Sequence, residues 1–153
     1  LLVQTVMKDP QIYDLIPHRE PMLLIDKMVH VAADSSSAEV HIHPDASFFQ
    51  PGLGVPAWIG LEYMGQTAAL IAGYQLQQGL TRPHLGFLLG TRQYVMNTDW
   101  FRDGDRLLVE CTQVAITGEQ LAQFQCTISR TGEVLATAKL SVYRKPLEQE
   151  TSA

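Results

Sequence analysis

The alternation of apolar and polar positions is cleanest in the last third of the chain. From Leu121 to Arg130, Ala122, Phe124, Cys126 and Ile128 fall on one side, and Gln123, Gln125, Thr127 and Ser129 fall on the other. A period of two marks a half-buried strand. Glu133–Arg144 repeats the pattern with Ala136, Ala138, Leu140 and Val142 inward. Thr117-Gly-Glu-Gln and Thr131-Gly-Glu supply hairpin turns around these strands. Leu85–Met96 and Asp105–Thr117 are two further strand candidates. Upstream, Met22–Ala32 reads as a strand with an irregularity near Asp26. Asp34-Ser-Ser-Ser37 then reads as a hairpin loop, and Glu39–His43 as the returning strand.

Two segments follow a helical rule instead. Asp9-Pro-Gln-Ile-Tyr-Asp-Leu-Ile16 predicts a short helix with Asp9 as its cap and Pro10 in the first position. Pro17-His-Arg-Glu-Pro21 is a turn. A long apolar helix runs from about Pro56 to Gln78 and stops at Gly79. The order is strand, strand, long helix, then four strands with tight connections. It predicts an α+β domain, an antiparallel sheet with one helix laid against it, occupying the whole of residues 1–153 with a core at about 10–145 and a frayed tail at Leu147–Ala153. One sheet covers only one side of so apolar a helix, so the remaining face predicts an obligate dimer or higher oligomer.

Composition narrows the function classes. Apolar residues make up 46% and charged residues 18%, which suits a packed domain rather than a disordered chain. The formal charge is −5, and no segment clusters Lys or Arg. That disfavours a nucleic-acid partner and docking on anionic membranes. Val55–Gly73 approaches transmembrane length but contains Glu62, Gln66 and Thr67 without basic flanks, so a buried helix explains it better than a membrane span. The first residues have too short an apolar run and no basic start for a secretory signal. Cys111 and Cys126 sit in alternating segments without metal spacing. They read as small buried thiols of a reducing cytoplasm, with a disulfide between neighbouring strands as the alternative.

The sharpest candidate chemistry lies in the long helix. Glu62 and Gln66 stand one turn apart on one face of an otherwise apolar element. An acid there is costly unless it is paired or working.

Several motifs then resemble a known family. Ile16-Pro-His-Arg-Glu-Pro-Met-Leu-Leu-Ile-Asp-Lys-Met28 resembles the opening motif of the β-hydroxyacyl-ACP dehydratases of fatty-acid synthesis. Phe48-Phe49 followed by a Gly/Pro loop is similar to that family's lead-in to its central helix. Glu62-Tyr-Met-Gly-Gln66 is similar to its helix motif, and Trp100-Phe-Arg-Asp-Gly-Asp-Arg-Leu107 to its later Gly-Asp turn. The similarity spans roughly residues 12–144, in order. The wording around Gly54-Val-Pro-Ala-Trp-Ile-Gly-Leu-Glu-Tyr-Met64 most resembles the dehydratase-like proteins of aryl-polyene biosynthesis. The resemblance implies a hotdog fold, a sheet wrapped around one central helix. It also implies a 3-hydroxyacyl thioester substrate on the phosphopantetheine arm of an acyl carrier protein, or on coenzyme A, and no cofactor or metal.

One departure bears on the chemistry. The family's loop reads Phe-Phe-x-Gly-His-Phe-Pro, and its His is the catalytic base. Here the loop is shorter, and no His stands between Phe49 and Glu62. Dehydration needs a base for the C2 proton, an acid for the leaving hydroxyl and donors for the enolate oxygen. Glu62 is the expected acid or base, and Gln66 its orienting partner. His43, two residues from His41 on the same strand face and just before the Phe48-Phe49 lead-in, is the expected replacement base. His18 is expected to serve the opening turn structurally. The N–H groups of Ala57 and Trp58, after Pro56, are the expected oxyanion site. Trp58, Tyr63 and Met64 could line an acyl tunnel, and Phe49 and Gly86 complete the candidate substrate positions. Arg82 and Arg92 could meet a phosphate or an acidic carrier. Two other functions fit the missing His: a thioesterase of the same fold using one carboxylate, and a non-catalytic acyl-binding or partner subunit.

Overall fold

The computed structural model describes residues 8–118 and 120–147, with backbone alone at positions 85, 88, 89 and 92. The elements in order are helix α1 (Pro10–Leu15), strands β1 (Lys27–Val31), β2 (Ser35–His41) and β3 (Val55–Pro56), a 3-10 turn (Ala57–Ile59) and helix α2 (Gly60–Gln77). Strands β4 (His84–Met96), β5 (Trp100–Phe101), β6 (Arg106–Thr117), β7 (Leu121–Arg130) and β8 (Glu133–Pro146) follow. Six of the strands form one antiparallel sheet in the order β1-β2-β6-β7-β8-β4. The two residues of β3 pair separately with β5. Helix α2 packs on β2, β6 and β7 and is crossed by α1. This is the sheet-around-a-helix arrangement that the resemblance implies.

The alternating strands bury the residues expected of them. Ala122, Phe124, Cys126 and Ile128 of β7 are buried, as are Ala136, Ala138 and Leu140 of β8. They meet Tyr63, Met64, Leu70 and Ile71 of α2 in one core. Cys111 and Cys126 are direct cross-strand partners, free and buried, with sulfurs 3.0 Å apart. Burial pushes the Cys111 thiol up, which suits inert core thiols rather than reactive ones. Gly79, the residue expected to stop α2, has φ +69, a conformation open to glycine without strain.

The N-terminal strands differ from the expectation. The segment 22–26 is not strand: Met22 and Leu23 donate their N–H groups to the Arg19 carbonyl in a turn, and Leu24 N–H and Ile25 N–H both donate to Gln66 Oε1. Asp26 then closes the segment, accepting from Lys8 Nζ at 2.6 Å and from the His41 N–H at 2.7 Å. The irregularity expected near Asp26 lies between Met28 and His30, as a register shift in β1. Residues 35–37, expected in a loop, belong to β2. Ser36 is buried there and donates its hydroxyl to the Thr67 carbonyl at 2.6 Å, a bond that outweighs the turn preference of serine. The predicted Gly-Asp turn forms as expected: Asp105 accepts from the Arg102 N–H and from the Arg130 guanidinium through both oxygens.

Two glycines of α2 sit in opposite surroundings. A methyl on Gly73 would stand 2.0 Å from the Leu15 carbonyl oxygen, so α1 crosses the helix only because the side chain is a hydrogen. A methyl on Gly65 would meet nothing within 4 Å. Gly73→Ala is expected to destabilise by about 1–3 kcal/mol through overpacking. Gly65→Ala is expected to be neutral or to stabilise by up to about 1 kcal/mol through helix propensity. Urea unfolding of the two variants checks the contrast, and equal midpoints would contradict it.

Candidate functional site

The lead-in to α2 is set by a tight hairpin. Gln50 and Gly54 exchange backbone hydrogen bonds in both directions, at 2.7 and 2.9 Å. Gly54 has φ +108, and a Cβ there would lie 2.0 Å from the Phe101 oxygen. Only glycine lets Val55 and Pro56 reach their partners Phe101 and Trp100. The shortened loop is therefore closed on itself and delivers the chain straight into the 3-10 turn that starts α2.

That delivery changes the expected oxyanion site. The Ala57 N–H donates to the Asp99 carbonyl at 2.9 Å and is not free. The Ala57 carbonyl is also occupied, accepting the Tyr94 hydroxyl at 2.5 Å. Of the expected pair, the Trp58 N–H is the one left without an acceptor among the described residues. The Trp58 ring is exposed, whereas Pro56 and Ala57 are buried.

Glu62 lies in the first turn of α2 with its side chain about two-fifths exposed. Gln66 is fully buried one turn on, and its amide nitrogen donates to Glu62 Oε1 at 3.0 Å and to the Met22 carbonyl at 2.7 Å. With its oxygen accepting from Leu24 and Ile25, every polar atom of this amide is engaged. Gln66 is thus a clamp between helix and opening segment, and it fixes one oxygen of Glu62.

The imidazole facing Glu62 is not the expected one. His18 Nε2 stands 3.9 Å from Glu62 Oε1. Burial pushes the His18 pKa down from 6.5; the nearby Glu62 carboxylate opposes that shift and the Arg19 guanidinium adds to it. His18 is therefore neutral at pH 7. Its Nδ1 is buried without a hydrogen-bond partner. The turn that carries it is rigid: Arg19 donates to the carbonyls of Tyr13, Ile16 and His18 and lies over the Tyr13 ring. Tyr13 in turn donates to Glu20.

His43 is placed elsewhere. It lines a cavity of about 420 Å³ with His41, Asp26 and Tyr63, and its Nδ1 accepts the Asp45 N–H at 3.2 Å. Tyr63 is a core residue packed on Phe101, and burial pushes its hydroxyl far above the usual phenol range. Phe49 is half-buried against the core. Gly86 pairs with Arg144. Tyr94, which reaches the start of α2, is on the same strand, and roughly 25 Å of strand separates the two. Within one protomer Gly86 is not brought to Glu62. Arg82 lies in the loop before β4, at the far end of α2, and the Arg92 side chain lies outside the described residues. Among the described residues no three His, Cys, Asp or Glu side chains converge as a metal site, and no helix is long and apolar enough to cross a membrane.

Known proteins place this arrangement. The sequence model of the ApeP-like family, described as ApeP dehydratase, matches residues 10–153. The 3-hydroxyacyl-acyl-carrier-protein dehydratase FabZ of Acinetobacter baylyi is 24% identical over 143 residues, spanning 91% of this chain and 95% of its own. Its counterpart in Acinetobacter baumannii is 23% identical over 147 residues, spanning 94% and 99%. Among solved structures, a chain of the dehydratase heterocomplex ApeI:P from Xenorhabdus doucetiae superposes with a TM-score of 0.79 at 25% identity, covering 92% of each chain. A hypothetical thioesterase with coenzyme A from Streptococcus pneumoniae shares the fold, with a TM-score of 0.62 at 9% identity over 80% of this chain and 88% of that one. A match over nearly the whole chain, on a sheet wrapped around one Glu-bearing helix, means that this protein belongs to the ApeP-like dehydratase family of the hotdog fold.

Proposed function

We propose that this protein removes water from a 3-hydroxyacyl thioester, with His18 and Glu62 as the pair that handles the protons. The observation that carries the assignment is the neutral His18 imidazole facing Glu62 across 3.9 Å, in a chain whose loop lacks the family's base. That distance is too long for a direct hydrogen bond. Such contacts tighten when substrate arrives.

The steps balance on these two groups. His18, protonated on Nδ1, takes the C2 proton on Nε2. The C3–O bond breaks, and the hydroxyl departs as water with a proton from Glu62, which enters this step as the carboxylic acid. A C2–C3 double bond remains in the thioester product. The proton on His18 then returns to Glu62 and resets the pair. The Trp58 N–H, at the positive end of α2, supports the negative charge that develops on the thioester oxygen. Gln66 acts as a positioning residue, holding the Glu62 carboxyl toward the turn that carries His18.

The substrate is proposed to arrive on the phosphopantetheine arm of an acyl carrier protein, as the names of the FabZ relatives state for those proteins. A second chain is proposed to pair along β4. That strand is hydrogen-bonded on one side only, to β8, and leaves Phe87, Val95 and Met96 about half exposed. A free edge with apolar side chains is a pairing surface. The partner is a second copy of this chain, or a related chain as in the ApeI:P heterocomplex.

Incubation with a 3-hydroxyacyl carrier protein and mass detection is expected to show loss of one water. Release of the acyl chain as free acid would instead mark hydrolysis. Glu62→Gln and His18→Asn are each expected to lower kcat by about 10²–10⁴ while the folded spectrum is retained. Full activity in His18→Asn would remove His18 from the mechanism. In the wild type the acid limb of the rate profile is expected below pH 6.5, because burial lowers the His18 pKa and only the neutral ring accepts a proton. A limb at or above 6.5 would contradict this. Light scattering on the purified chain is expected to report at least twice the 17.0 kDa chain mass, and a monomer at micromolar concentration would refute self-pairing along β4.

A further inference from the structure

The far end of α2 holds a second polar constellation that the dehydration chemistry does not use. A cavity of about 630 Å³ opens between the end of α2, the loop before β4 and the end of β8. Gln75, Thr81, Arg82, His84, Gln120 and Arg144 contribute its polar lining, and among the described residues no Asp or Glu lines it. In a chain of formal charge −5, two arginines and a histidine with no acid beside them among the described residues stand against the overall sign.

Arg144 is the centre of this arrangement. It is only 6% exposed. Its Nη2 donates to Gln75 Oε1 at 2.8 Å and to Gln113 Oε1 at 3.4 Å, both uncharged acceptors. Gln75 is fixed in turn, donating to the Ala33 carbonyl at 2.6 Å. The Nε and Nη1 groups of Arg144 have no acceptor, and no carboxylate lies within ion-pair distance of it, among the described residues. No carbonyl at the end of α2 accepts from Arg144 either, among the described residues. The carbonyls at Tyr74, Gln75 and Leu76 accept the N–H groups of Gln78, Leu80 and Gly79. Burial accordingly lowers the Arg144 pKa. The free donors of this guanidinium are open to the cavity rather than sealed from solvent, and they have no counter-charge among the described residues, so they are available to an anion.

We infer that this cavity binds a phosphate-bearing small molecule, held by Arg144 from within and by Arg82 at the rim. A phosphate monoester approaches two negative charges near neutral pH, since its second pKa is about 6. It therefore suits two guanidiniums better than a singly charged carboxylate does. The Thr81 hydroxyl, the Gln120 amide and His84 supply further polar contacts, and Leu80 and Ile116 give an apolar wall for the organic part. The site is separate from Glu62, since Gln75 follows it by about 20 Å along the helix.

Calorimetric titration at constant ionic strength tests the inference with phenyl phosphate, inorganic phosphate and benzoate. Saturable binding of phenyl phosphate is expected, with benzoate clearly weaker. Inorganic phosphate that competes as well as the ester would mark the free ion as the ligand, and weaker competition would mark an ester; both support a phosphate site. Arg144→Gln is expected to weaken binding by about tenfold to a hundredfold, the worth of charge-assisted hydrogen bonds. Arg82→Ala is expected to weaken it severalfold, and Glu62→Gln to leave it unchanged. Arg82 is exposed, so its variant carries the test should Arg144→Gln fail to fold. Absence of saturable binding, binding unaltered in Arg82→Ala, equal affinity for benzoate, or loss in Glu62→Gln would each overturn the inference.

Discussion

The buried amide of Gln66 is the constraint on which the candidate site depends. A primary amide inside a packed core is tolerated only if its donors and acceptor are all matched. Here they are matched by three groups that would otherwise be unrelated: the backbone of Leu24 and Ile25, the Met22 carbonyl, and the Glu62 carboxylate. Satisfying one side chain therefore docks the opening segment on α2. It also accounts for Leu24 and Ile25 donating to the helix side instead of to the sheet. The turn carrying His18 is continuous with that segment, so the same amide brings the imidazole opposite Glu62.

The start of α2 shows a second constraint with a chemical consequence. The short Gly-rich hairpin and the Val55–Phe101 pairing bring the chain in so closely that the Ala57 N–H is taken by Asp99. A helix start normally offers several free donors. Here the choice narrows to Trp58. The short loop thus leaves one N–H of the expected pair free, while the fold and the central helix bearing Glu62 are kept.

Much of this was legible in the sequence because it rests on local rules. Period-two alternation marked β7 and β8, Gly79 marked the end of α2, and one acid with one amide on an apolar helix marked Glu62 and Gln66. The misses share a different cause. Ser35–Ser37 read as turn residues, but a hydroxyl bond to the Thr67 carbonyl draws Ser36 into β2. Residues 22–26 read as strand, but a turn on the Arg19 carbonyl takes the donors of Met22 and Leu23, and a distant side chain takes those of Leu24 and Ile25. His43 read as the replacement base on its nearness in sequence to the Phe48-Phe49 lead-in; it lines a cavity with Tyr63, and Glu62 is not among the residues that line it. His18 belongs to a turn far from Glu62 in sequence, and its approach is a tertiary contact that no periodicity encodes. Its position inside the opening motif was visible, but the chemistry it faces was not.

The pairing of His18 with Glu62 is tested most directly by the proton itself. An NMR titration of the His18 ring is expected to give a pKa below 6.5, since burial outweighs the favourable carboxylate. In Glu62→Gln, where that carboxylate is lost, the value is expected to fall further. A His18 that titrates at its ordinary value and does not respond to Glu62→Gln would contradict the account.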